Sequence, residues 1–183
     1  MKLDKPGAQA PGFFMPTCDT VSPMNAETPA STHPPATPVP TAGSVTIRVR
    51  YSECDPMGVA HHASYAPWLE IGRTELLRDV GASYATMERD GVFLVVTKLE
   101  LRYRRPLRYD DLIEVRTTVV GTSRIKIRHA YELVLLERGG KYPDPNDPAT
   151  PRDGIVSIAS SELACVGKDG RPRELPEWLT RHK

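Results

Sequence analysis

From Ser44 onward the chain alternates. In "SVTIRVRYS", Val45, Ile47, Val49 and Tyr51 are interleaved with Thr46, Arg48, Arg50 and Ser52, the period-two pattern of a half-buried strand. The rhythm then changes. Across "YAPWLEIGRTELLRDVG", Tyr65, Trp68, Leu69, Gly72, Leu76 and Val80 recur at helical spacing, while Glu70, Arg73, Thr74 and Arg78 mostly face away. Pro67 is tolerated only in a first turn, so the helix is expected to start near 62–66. Gly81 is expected to close it. Period two then returns and stays, through Leu99, Leu101 and Tyr103, through Ile113, Val115, Thr117 and Val119, through Ile125 to Leu135, and through "GIVSIASSELACVG". A long Pro/Asp-rich loop, 138–154, separates the last two runs.

The order is strand, one long helix, four strands. One helix with one apolar stripe must bury it against the sheet. This predicts an α+β fold in which a five-stranded antiparallel sheet wraps a single central helix. Short links between the last four strands predict a meander.

Composition changes near Gly43. Nine of the 18 prolines fall within 1–43, a stretch poor in bulky apolar residues, and such a segment cannot offset its ordering entropy by burial. Residues 1–43 are therefore expected to be a disordered tail and 44–183 the folded domain. Basic and acidic residues nearly cancel, 24 against 23, which gives no electrostatic footprint for nucleic acid or an anionic membrane. Three widely spaced cysteines, Cys18, Cys54 and Cys165, argue against a disulfide framework or a structural zinc site and fit a reducing compartment. No signal-like or membrane-spanning run is present, so a cytoplasmic protein with no membrane insertion is expected.

The seam between the first strand and the helix reads "YSECDPMGVAHHASY". It sets a carboxylate, Asp55, and two imidazoles, His61 and His62, at the point where a helix begins. Asp-Pro and Gly both mark turns, so Asp55 has an ordinary Asx role open to it. A carboxylate and imidazoles at the seam where a helix begins also read as a candidate active site, because the unpaired N–H groups and partial positive charge of a helix start are suited to an anion. Gly58 fits a positive φ or a close backbone approach.

This stretch, its following helix and "LRYRRPLRYDDLIEVRT" together resemble the hot dog-fold acyl-CoA thioesterases, in particular the 4-hydroxybenzoyl-CoA thioesterase-like branch that includes the bacterial enzymes associated with the Tol–Pal system. The likeness covers roughly 44–179. It implies a homodimer joined edge to edge, or a homotetramer, with the thioester of an acyl-CoA bound at the interface and no metal or other cofactor. It also implies that Asp55 is the nucleophile or general base and that the backbone N–H of His62 polarises the thioester carbonyl, with its imidazole as a possible acid or base. Tyr51, expected on the inward face of the strand, would orient Asp55 or serve as a core aromatic. Gly58, His61 and Tyr65 are candidates for substrate contact, His61 with packing as its alternative. Ser123 and Arg124 in "GTSRIKIRH" are candidates for CoA contact, and Arg102, Arg104 and Arg105 form a second basic group. Another hot dog branch uses a helix glutamate as its catalytic carboxylate; Glu70 lies on the helix here, but it ranks well below Asp55 and reads rather as a solvated or interface-paired glutamate. An acyl-thioester-binding protein without turnover, or a dehydratase or hydratase, would share the fold.

Overall fold

The computed structural model describes residues 39–139, 148 and 150–180. Residues 1–38, and with them most of the proline-rich stretch, lie outside this range, as do 140–147 and 149 of the long loop. Five strands, β1 (Ala42–Arg48), β2 (Phe93–Tyr103), β3 (Leu112–Thr122), β4 (Lys126–Glu137) and β5 (Ile155–Val166), form one antiparallel sheet. The single long helix, α1 (Tyr65–Arg78), follows a 3₁₀ turn at His62–Ser64, and two short helices, α2 (Tyr84–Arg89) and α3 (Glu177–Thr180), complete the described fold.

α1 lies against β1 and β3 and buries Tyr65, Trp68, Leu69, Gly72, Leu76 and Leu77. This is the expected stripe, with Leu77 in place of Val80. The sheet answers with Ile113, Val115 and Thr117 of β3 and Ile127, His129, Tyr131, Leu133 and Leu135 of β4, all buried and in alternation. One apolar cluster gathers Val49, Trp68, Leu69, Ile113, Val115 and Leu133. A second, at the far end of α1, joins Leu77, Met87, Val92, Leu163, Leu175 and Leu179. Val39 belongs to that second cluster, so residues of the proline-rich stretch just before Gly43 are already part of the packed domain.

The sheet order is β1-β3-β4-β5-β2, which corrects the expected four-strand meander. Only β3, β4 and β5 run consecutively. β2 pairs with β5, from Phe93↔Val166 to Tyr103↔Ser157, at the edge opposite β1. Hydrophobic period fixes which face a residue takes and is silent about which strand is its neighbour. The chain between α1 and β2 is also more than a linker: Ser83 caps α2 by accepting the Thr86 N–H at 3.2 Å. The helix wrapped by a five-stranded antiparallel sheet is the hot dog arrangement.

The link from β2 to β3 is clamped by Asp111. This fully buried carboxylate accepts the Arg108 N–H at 2.7 Å and the Gly139 N–H at 3.0 Å, and it pairs with Arg138 at 2.6 Å. Hydrogen bonds between Val49 and the Asp110–Asp111 backbone tie the end of β1 to the same link.

Gly72 sets the distance between α1 and β3. A Cβ there would stand 2.5 Å from Thr117 Oγ1 and 3.1 Å from Val115 Cγ1. Gly72→Ala is therefore expected to lower stability by roughly 1–3 kcal/mol despite its better helix propensity. Chemical denaturation measures this directly, and an unchanged or raised midpoint would mean that the helix is free to move off the sheet.

Candidate active site

The strand alternation stops at Arg48. Residues Tyr51–Glu53 form a 3₁₀ turn, because Glu53 turns back on Arg50 and accepts its backbone N–H at 2.7 Å and its guanidinium at 2.7 Å. Tyr51 consequently leaves the strand pattern. It is 81% exposed and meets Tyr109 edge-on, with ring centroids 5.7 Å apart, so the inward placement expected of it is corrected.

Glu53 is buried, and it also accepts the Trp68 indole N–H at 2.9 Å. Its backbone carbonyl takes the His61 N–H at 2.8 Å and the Ser64 hydroxyl at 2.9 Å. One residue thus ties the end of the strand, the loop and the start of the helix together. Burial pushes the Glu53 carboxyl upward, but hydrogen bonds from Arg50 and Trp68 outweigh it and hold it below the ordinary glutamate range.

Beyond Glu53, Asp55–Gly58 makes a tight turn. The Gly58 N–H donates to the Asp55 carbonyl at 2.9 Å, Gly58 has φ +75°, and Asp55 Oδ1 accepts the Met57 N–H at 2.8 Å. The Asx role is thus present, and it leaves Oδ2 without that constraint. Ala60 is pinned by its N–H to the Leu107 carbonyl at 2.8 Å. Gly58 serves the turn through its φ, and nothing approaches within 4 Å of the position its Cβ would take.

His61 Nδ1 accepts the Ala63 N–H at 3.2 Å, and its ring lies against that of His62 with centroids 4.0 Å apart. The N–H groups of His61, Ala63 and Ser64 all have acceptors. Among the described residues none meets the His62 N–H, which makes it the open donor at the helix entry.

A cavity of about 380 Å³ lies in front of this entry, lined by Asp55, Val59, Ala60, His62, Tyr65 and the 103–106 segment at the end of β2. Asp55, His62 and Tyr65 are therefore brought together. Tyr51, Gly58 and His61 do not line the cavity. Burial raises the Tyr65 phenol to about 12, so it remains a neutral wall, in edge contact with Tyr103 at 4.8 Å. Tyr103 donates to the His62 carbonyl at 3.3 Å, and Arg104, at the mouth, pairs with Asp153 at 2.8 Å. Ser123 and Arg124 sit elsewhere. They form the turn between β3 and β4, at the end of β3 opposite Asp111, roughly 30 Å along the strand, and Arg124 pairs there with Glu174 at 3.3 Å.

Two residues escaped the sequence reading. Glu53 carried no periodic signal, although a helix-stripe tryptophan at 68 demands an acceptor for its indole N–H once buried. Arg73, expected to face away from the core, is only 9% exposed and pairs with Glu70 at 2.9 Å.

The sequence profile of the thioesterase-like superfamily matches residues 49–182, and the chain belongs to that family. It is 33% identical over 143 residues to the Bacillus subtilis protein named "Putative acyl-CoA thioesterase YneP", covering 75% of this chain and 92% of that one. It is 38% identical over 82 residues to the acyl-CoA thioester hydrolase YbgC of Escherichia coli, covering 43% of this chain and 61% of the other. The crystal structure of a DHNA-CoA thioesterase from Staphylococcus aureus superposes with a TM-score of 0.62 at 30% identity, covering 73% of this chain and 80% of that one.

Glu53→Gln keeps the size of the side chain and removes the charge that three donors address. It is expected to cost about 2 kcal/mol or more at neutral pH. Because the folded-state pKa is depressed, this stabilisation is present above the ordinary glutamate value of 4.5 and is lost as pH falls through the folded value. Thermal unfolding of the two proteins from pH 7 down to 3 should show the gap narrowing with acid. A constant gap would contradict the ionised role.

Proposed function

We propose that this protein is an acyl-CoA thioesterase that hydrolyses the thioester to a free acid and CoA. The observation that carries the reading is the shared cavity: Asp55 and His62, whose N–H meets no acceptor among the described residues, line the same space at a helix entry. The thioester carbonyl oxygen sits on the His62 N–H, where the partial positive charge of the helix start favours the oxyanion. Asp55 supplies the attacking power through the oxygen that the Met57 N–H does not hold. It either attacks the carbonyl carbon to give a mixed anhydride, which water then opens, or takes a proton from water that attacks in its place. Both routes expel CoA thiolate, a good leaving group because alkyl thiols ionise near pH 8.5. The His62 imidazole assists proton transfer.

Arg104 and Arg105 are this chain's basic groups at the mouth of the cavity, suited to the phosphates of CoA. Ser123 and Arg124 would reach the nucleotide only from a second copy. An assembly of that kind has support in β2, an unpaired sheet edge on which Val95, Val96, Leu99 and Tyr103 are exposed. We therefore assign a homodimer, or a dimer of dimers, with the site at the β2 edge. Cys54 and Cys165 are free thiols, which suits a cytoplasmic enzyme. Among the described residues no helix is long and apolar enough to cross a membrane.

Thiol release from short, long and aromatic acyl-CoAs tests the reading. Asp55→Asn should reduce kcat by about a hundredfold or more, in the range that general-base removal costs. His62→Ala, which keeps the backbone donor, should cost no more than about tenfold. An Asp55→Asn protein with wild-type turnover would sink the assignment of Asp55, and saturable binding without thiol release by the wild type would make this a binding protein.

A further inference from the structure

The groove between α1 and β2 does not end at the Asp55 cavity. A second cavity of about 230 Å³ follows it along the same two elements, with Leu69, Val96 and Leu99 as its apolar wall and Arg73, Tyr131 and Ser161 as its polar one. Tyr65 and Tyr103 line the first cavity, and the second takes up residues further along α1 and earlier in β2. Arg73 lies eight residues beyond Tyr65, about 12 Å along the helix, at the distance where the tail of an acyl group entering from the first cavity would arrive.

The polar wall is unusual for a pocket that receives a lipid tail. Arg73 is nine-tenths buried, and among the described residues its Nε–H has no acceptor. An orphaned buried donor on a cation is costly. Beside it the Tyr131 and Ser161 hydroxyls pair at 2.8 Å; the guanidinium already acts on the Tyr131 and Tyr84 phenol oxygens, and the Ser161 hydroxyl keeps a lone pair for a further donor. Glu70, paired with Arg73 at 2.9 Å, has a side chain 64% exposed and stands at the rim.

We propose that this second cavity holds the distal end of the acyl group and selects acyl chains carrying a hydrogen-bond-accepting oxygen there, a hydroxyl or a carboxylate, with Arg73 as the specificity-determining residue. The Arg73 Nε–H donates to that oxygen, and the Tyr131–Ser161 pair binds a hydroxyl from its other side. A carboxylate would compete with Glu70 for the guanidinium, whereas a hydroxyl would not. The inference rests on the thioesterase reading for the acyl group itself.

The test compares CoA thioesters of equal backbone length that end in methyl, hydroxyl or carboxylate. kcat/KM is measured for the wild type, Arg73→Met and Ser161→Ala, and calorimetry follows binding of the uncleavable thioether analogues of the same three. Circular dichroism and thermal unfolding establish that each variant is folded. The wild type should favour an oxygen-ended chain over the methyl-ended one by about tenfold or more, and Arg73→Met should abolish the preference. If Arg73→Met does not fold, the smaller Ser161→Ala change should still reduce it. Glu70→Gln separates the two oxygens, because it should improve the carboxylate relative to the hydroxyl. Equal turnover and equal binding of methyl-ended and oxygen-ended chains by the wild type would overturn the pocket assignment and leave the hydrolase intact. A preference in binding with no turnover of any thioester would do the reverse.

Discussion

A buried carboxylate that gathers three donors organises the strand-to-helix seam of this molecule, where the candidate active site lies. Glu53 lies in a segment with no ladder of its own, between the last residue of β1 and the first turn before α1. Its oxygens gather the Arg50 backbone, the Arg50 guanidinium and the Trp68 indole, and its carbonyl gathers His61 and Ser64. Trp68 is fully buried in the main cluster, so the loop is referenced to the core rather than to solvent. Acyl chemistry needs the attacking oxygen and the oxyanion donor placed to within about half an ångström. Asp55 lies two residues beyond Glu53, and His62 lies between the two partners of its carbonyl, so their relative position depends on these contacts.

The carboxylates of this chain differ in use because they differ in partners. Asp111 is enclosed and fully committed to Arg108, Arg138 and Gly139, which makes it a structural clamp. Glu70 is exposed and neutralised by the arginine one turn away. Asp55 alone of these combines a cavity, a fixed Oδ1 and a neighbouring helix entry. Residue type does not distinguish the three, and their surroundings do.

Much of this was legible in the chain. The helical stripe from Tyr65 to Leu76 and the alternation of Ile113, Val115 and Thr117 are direct imprints of burial, and the Asp55–Gly58 turn is written in its residue types. What period could not carry was neighbourhood. Nothing in "FLVVTKLELRYRRPL" says that its partner is the last strand, and so the joining of the 103–106 segment to the Asp55 loop was invisible. Tyr51 misled because alternation was extended past Arg48 into the turn that Glu53 closes on Arg50. Arg73 misled because a charge on a helix is read as facing water, and only the tertiary fold shows it beneath the groove.

The pairing of β2 with β5 reaches into how the protein is made. Synthesis delivers the Asp55 loop, α1 and then β2 well before β5, the strand with which β2 pairs among the described residues. During that interval a strand carrying Val95, Val96 and Leu99 has neither its sheet partner nor its face of the fold. Contacts of such long sequence separation form late and leave apolar edges open to other chains. The wall of the site contributed by β2 is thus among the last parts to be set, and the nascent chain spends the time before β5 emerges in its most association-prone form.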